Sequence, residues 1–220
     1  MSHYYDEDPS VISNEQRIQY QLNHHKIDLI TDNGVFSKDK VDYGSDVLVQ
    51  TFLKAHPPGP SKRIADVGCG YGPIGLMIAK VSPHHSITML DVNHRALALV
   101  EKNKKLNGID NVIVKESDAL SAVEDKSFDF ILTNPPIRAG KETVHRIFEQ
   151  ALHRLDSNGE LFVVIQKKQG MPSAKKRMNE LFGNVEVVNK DKGYYILRSI
   201  KAWNEMDILL YLFNVKIYVQ

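Results

Sequence analysis

The chain has 220 residues, with 28 lysines and arginines against 27 aspartates and glutamates and a net charge of +1. That balance excludes a protein that holds polyanions through its overall charge, so any nucleic-acid contact must come from local basic clusters. One cysteine excludes an internal disulfide, no apolar run reaches membrane length, and an apolar fraction of 42% suits one α/β domain with a sizeable core, expected in the cytoplasm.

Residues 1–25 read as a tail and lead-in. The first ten are acidic and polar, unlike a signal peptide, and 14–20 reads as a short helix or an irregular approach. Residues 26–30 read as a strand, Thr31-Asp32-Asn33-Gly34 as a turn, and 35–37 as the returning strand of an N-terminal β-hairpin. Ser45 is placed to cap a helix with apolar positions Val47, Leu48, Phe52 and Leu53, which Pro57-Pro58-Gly59-Pro60 stops. Strands are then expected over 63–67, 86–91, 112–115, 128–133 and 160–166. Helices are expected from Pro73, over 95–107 with Gly108 closing it, and over 143–155 and 175–182. Strands 185–189 and 194–198 flank a hairpin turn at Asp191-Lys192-Gly193. The alternation predicts an α/β fold with a doubly wound, mostly parallel sheet of seven strands, one of them antiparallel, and helices on both faces. Residues 26–201 form the expected single domain. Residues 202–220 are an apolar tail of unassigned role, carrying Trp203, Ile208, Leu209, Leu210 and Phe213.

The chain is organised around Arg63 to Gly75. A short buried strand ends in a carboxylate at Asp66, a nearly bare turn follows, and Pro73 suits the first turn of a helix. Such a strand, turn and helix N-terminus make a nucleotide-sized cradle. Two cofactor readings fit. Gly70-Tyr71-Gly72-Pro73-Ile74-Gly75 is a literal G-x-G-x-x-G with Asp91 about twenty residues on, as in dinucleotide sites. The same stretch reads Asp66-x-Gly68-x-Gly70-x-Gly72, with Cys69 inside the turn. This acidic-first pattern resembles motif I of the class I S-adenosylmethionine (SAM) methyltransferases, which have a Rossmann-like fold. SAM is the favoured reading, because an acidic residue and further loop precede Gly70, where a dinucleotide turn begins directly on its first glycine. Asp91, with Val92 beside it, ends the second strand, where it can accept bonds from both ribose hydroxyls or cap the next helix.

Asn134-Pro135-Pro136-Ile137 follows the fourth of these strands, at the same sheet edge as Asp66. An exocyclic amine conjugated to a ring has a poorly nucleophilic lone pair. If the Asn134 side-chain oxygen and the Pro135 carbonyl accept its two N–H bonds, the nitrogen shifts toward a tetrahedral shape and its lone pair points at the methyl donor. The stretch resembles motif IV, the N-P-P-aromatic signature of methyltransferases acting on amide or nucleobase nitrogen. Ile137 departs from it, so stacking on a base is expected from Phe36 or Tyr43.

Together with these motifs, Asn33-Gly34-Val35-Phe36-Ser37 and Asp42-Tyr43-Gly44-Ser45 closely resemble the RsmC-like family, which forms N2-methylguanine in 16S ribosomal RNA. The resemblance covers roughly residues 26–201 and corresponds to the catalytic half of the long members. It implies that Asp118 faces the adenine amino group, that Ala119 brings a backbone N–H to the ring, and that Phe36 and Ser37 help close the SAM site. A release-factor-type protein glutamine methyltransferase, which shares the N-P-P turn, is the enzyme alternative. A non-catalytic SAM-binding RNA or ribosome-assembly factor is the alternative outside enzymes. Arg138, Lys141, Lys167 and Lys168 fall near the active edge and are expected to position RNA through phosphates. His24-His25 and His84-His85 lack metal-site spacing, and no metal is expected.

Overall fold

The computed structural model describes residues 9–123 and 127–203. The expected tail over residues 1–8 and the apolar stretch from 204 onward lie outside the described residues. A two-stranded antiparallel sheet, β1 (Gln16–Leu22) and β2 (His25–Thr31), leads into α1 (Tyr43–Ala55). Strand–helix alternation follows as β3 (Arg63–Val67), α2 (Pro73–Val81), β4 (Ser86–Asp91), α3 (His94–Asn107), β5 (Val112–Glu116), β6 (Phe128–Thr133), α4 (Lys141–Arg154), β7 (Leu155–Gln166) and α5 (Met171–Phe182). The hairpin β8 (Glu186–Asp191) and β9 (Tyr194–Ile200) completes the sheet. Its order is β5-β4-β3-β6-β7-β9-β8, and β9 alone runs against the other six.

Alternation along the strands divides the core between two faces. Ile64, Met89, Leu132 and Phe162 join Leu48 and Phe52 of α1 and Leu76 of α2 on one face. Ala65, Val67, Ile131 and Val163 meet Phe148 of α4 and Met178 of α5 on the other. The same parity puts Asp66 on the α2 side, at 1% exposure. The four parallel-sheet crossovers bring the ends of β3, β4, β5 and β6 to one edge, where ligands bind in open α/β sheets.

Several sequence expectations are corrected here. Residues 16–22 are a strand rather than a helix, with polar and apolar side chains alternating and Leu22 and Tyr20 buried. The hairpin turns at Asn23, whose φ of 53° is the left-handed conformation that asparagine tolerates. Residues 35–37 form no returning strand. Asp32 instead turns inward at 2% exposure and accepts bonds from Ser13, Asn14 and Asn33, which fixes an irregular loop. Asp42, not Ser45, caps α1, and Asn93, not Asp91, caps α3. Asn158-Gly159 lies inside β7 rather than before it: Asn158 has φ 62°, and the N–H groups of Asn158 and Lys201 pair across to the carbonyls of Lys201 and Gly159.

Candidate active site

A cavity of about 770 Å³ opens at the carboxyl edge of the sheet, a size suited to a nucleoside-sized ligand together with part of a second one. Its floor is the glycine turn. Gly68 and Cys69 donate their N–H groups to the Leu90 carbonyl at 2.8 and 3.0 Å, which ties the turn to the neighbouring strand β4. Gly70 has φ 56°, and a Cβ placed there would meet nothing within 4 Å, so the bare backbone faces open space. Gly72 has φ 102°, and a Cβ there would lie 2.7 Å from Leu76 Cδ1, so this position is closed to side chains on both counts. Gly68, Cys69 and Gly70 line the cavity; Gly72 shapes the turn from behind.

Asp66 lies beneath this floor and does not line the cavity. Its Oδ2 accepts the Gly75 N–H at 2.9 Å, while Oδ1 has no partner among the described residues. Burial first, then the Asp91 charge, pushes its pKa up to about 7 against the pull of the Gly75 bond. Asp91 does line the cavity. Its Oδ2 accepts the Gly70 N–H at 2.8 Å and its Oδ1 the Asn93 N–H at 3.0 Å, so it orders the turn as well as facing the ligand space. Burial raises its pKa, and bonds from Asn93, Gly70 and Val92 oppose that. Val92, Asp118 and Ala119 complete this wall. Arg146 of α4 pairs with Asp118 at 2.9 Å.

This donor set decides between the two cofactor readings. The two carboxylates on the cavity wall, Asp91 and Asp118, disfavour a pyrophosphate. A bare backbone and an aspartate at a strand end suit a ligand with hydroxyls and a positive charge, such as SAM. Asp91, Asp118 and Ala119 would hold it, with Asp66 supporting the turn from beneath through Gly75.

The opposite wall carries Asn134, Pro135, Pro136 and Ile137. The Asn134 Nδ2 donates to Asp42 Oδ2 at 3.1 Å and to Ser45 Oγ at 2.9 Å. A carboxylate can only accept, so this amide has one stable orientation, with Oδ1 at the other end. Among the described residues, Oδ1 accepts no hydrogen bond. Phe36 and Ser37 close the rim, while Tyr43 lies outside the cavity, its hydroxyl on Asp191 and its ring 4.5 Å beneath the Lys192 ammonium. Of the basic residues, Arg138 and Lys168 reach the mouth. Lys141 and Lys167 are exposed and do not line it.

Sequence reasoning missed Asp42, Ser45 and Arg146 as site residues, although all three line the cavity. The Asp42-x-Gly44-Ser45 element was the available signal, because a conspicuous capping motif offers an acceptor-only group and a hydroxyl within one turn. Arg146 had none beyond its place five residues into α4. Among the described residues, no cluster of metal-ligating side chains occurs.

The methyltransferase small domain family profile matches residues 26–198. The chain is 50% identical over 201 residues to the uncharacterized protein YbxB of Bacillus subtilis, covering 91% of this chain and 98% of that one. It is 32% identical to ribosomal RNA small subunit methyltransferase C of Cronobacter sakazakii, over 78% of this chain and 48% of that one. It is 31% identical to ribosomal RNA large subunit methyltransferase G of Stutzerimonas stutzeri, over 84% and 49%. The chain thus spans about half the length of these ribosomal RNA methyltransferases. A Thermus thermophilus 16S rRNA N2 methyltransferase, RsmC, solved with AdoMet and guanosine, superposes with a TM-score of 0.78 at 24% identity, over 88% of this chain and 52% of that one. With a matching profile over most of its length and this sheet order, the chain belongs to the methyltransferase small domain family of SAM-dependent enzymes.

Proposed function

We propose that the protein transfers a methyl group from SAM to the exocyclic N2 amine of a guanine in ribosomal RNA, with 16S RNA as the first candidate. The observation that carries this reading is the Asn134 amide, pinned through its nitrogen so that its oxygen is left as an acceptor, with Pro135 on the same cavity wall. The Asn134 oxygen and the Pro135 carbonyl are two acceptors for the two N–H bonds of an amine. SAM, when bound, supplies an electrophilic methyl on a sulfonium. Asn134 Oδ1 and the Pro135 carbonyl accept the two N–H groups and draw the nitrogen out of conjugation, which frees its lone pair for in-line attack. The thioether S-adenosylhomocysteine would be the leaving group, and the methylated nitrogen then releases one proton to solvent water at the open cavity. Phe36 offers the aromatic face that Ile137 lacks, and Arg138 and Lys168 offer phosphate contacts at the mouth.

The residues 26–198 matched by the family profile support a single catalytic domain over 26–201. The test is transfer of labelled methyl to 16S RNA, 23S RNA, assembled small subunits and release factor, with Asn134→Ala as control. N2-methylguanine recovered from RNA, and lost in the variant, is the expected result. Label in the release factor alone would replace guanine with glutamine. SAM binding with no label in any substrate would favour an assembly role.

A further inference from the structure

We propose that Asp42 selects guanine, by accepting the N1–H of the base whose N2 amine Asn134 and Pro135 hold. This rests on the guanine-N2 reading above and deepens it.

Asp42 lines the same wall as Asn134, and their side chains are in direct contact at 3.1 Å. The Ser45 N–H at 3.2 Å and the Asn134 amide both land on Oδ2, and the Tyr194 hydroxyl bonds the same carboxylate. A carboxylate offers about four lone-pair positions, so Oδ1 keeps acceptor capacity. Asn134 Oδ1 and Asp42 Oδ1 therefore offer two acceptors on one cavity wall. Guanine presents N1–H and an N2–H side by side, both donors, pointing the same way. Its edge matches that wall donor for acceptor. Adenine carries a lone pair at N1, which a carboxylate repels, and has no amine at C2.

The carboxylate is held rigidly. Asp42 caps α1, with its carboxylate against the positive end of a 13-residue helix. Gly44 brings the chain close under Tyr194, whose Cε1 would lie 2.7 Å from any Cβ there. Burial, followed by the Asp42 charge, raises the Tyr194 phenol pKa, so this ring stays neutral against the carboxylate. Ser45 is already committed to Asn134, which leaves Asp42 as the acidic member of this wall.

The experiment replaces the methylated guanine, once mapped, with 2,6-diaminopurine. This base keeps the N2 amine but has an unprotonated N1. Wild-type kcat/KM should fall roughly 10- to 100-fold on the analogue, the range for losing a hydrogen bond to a charged group and opposing two acceptors. Asp42→Asn preserves size and capping ability and removes the obligate acceptor. Its guanine-to-diaminopurine ratio should collapse toward 1. A ratio that stays at the wild-type value while both rates fall together would reduce Asp42 to a support for Asn134 and overturn the proposal. A second measurement needs no variant: wild-type protein loaded with S-adenosylhomocysteine should bind guanosine and inosine, which share N1–H, more tightly than 2,6-diaminopurine riboside. Equal binding of all three would overturn it as well. If wild-type enzyme methylates no guanine in any RNA, the guanine-N2 reading fails first and the selection by Asp42 falls with it.

Discussion

The two walls of the cavity are built by different means. The cofactor wall consists of loops after adjacent strands, stitched together by main-chain groups: Gly68 and Cys69 to the Leu90 carbonyl, Ser117 to the Asp91 carbonyl, Gly70 to the Asp91 carboxylate. The target wall is held by side chains brought together over long separations, with Asn134 bonded 92 residues back to Asp42 and 89 back to Ser45. Main-chain stitching makes the first wall a property of the fold. Side-chain stitching makes the second adjustable by single substitutions, which is where a family on one fold can change targets.

The contrast is tested most severely by Asn134→Ala. Turnover should fall about 1,000-fold, the loss typical of removing one positioned polar group that acts in the transition state, while SAM affinity stays within about 2-fold. A matching loss of SAM affinity in calorimetry would mean that the walls are not separable.

Next in size is a stability effect confined to the cofactor wall. Asp66 has a folded pKa of about 7 against a usual value of 3.8. The unfolded chain therefore releases this proton at lower pH than the folded one. The Asp66 contribution to stability of the ligand-free protein is greatest below about pH 4, falls by up to roughly 1.4 kcal/mol per pH unit as pH rises toward 7, and levels off above that. Asp91, also raised, adds to the same trend. Urea denaturation across pH 4–8 should show this slope, and Asp66→Asn should flatten it; an unchanged slope in the variant would refute the assignment.

Asp91→Ala removes both a ligand-facing carboxylate and the partner of the Gly70 N–H. The SAM Kd should rise about 100-fold, in line with two lost charge-assisted bonds, while kcat at saturating SAM changes by less than a few fold. Ser45→Ala removes one of the two bonds on the Asn134 amide and leaves Asp42 to orient it. A loss of about 10-fold in kcat is expected, near the worth of one hydrogen bond, with no change in SAM affinity. Smallest is the double variant Arg138→Ala, Lys168→Ala. RNA KM should rise several-fold and the salt slope of log Kobs should shrink by about 1.4, as expected for two contacts to single-stranded phosphates; an unchanged slope would remove both from the RNA path.

Much of the cofactor wall was legible in the sequence because its parts are local. A strand, a glycine turn and a helix over residues 63–81 carry their own signals in period, bareness and Pro73. Even there, the parity of β3 decided that Asp66 faces α2 and Gly75 rather than the open cavity. Asn134 and the role of its side-chain oxygen were legible through the N-P-P turn, yet the groups that orient the amide were not, because Asp42 and Ser45 reach its nitrogen only in the folded chain. Asp42 read as part of a motif and turned out to be both the cap of α1 and a partner of Asn134. The N-terminal hairpin was misplaced by about ten residues, since Asn33-Gly34 carried the stronger turn signal and the burial of Asp32 could not be seen.

The sequence by itself determined the order of strands and helices from residue 43 onward, the glycine cradle with its acidic flanks, and the presence of an asparagine at a strand end, because each is set by neighbours a few residues apart. Only the tertiary structure decided that Asp42 and Ser45 grip Asn134, that Arg146 pairs with Asp118, and that Lys141 and Lys167 stand away from the mouth. Those arrangements join elements up to 92 residues apart. They are settled by how α1 and α4 pack against the sheet, and no local pattern encodes that packing.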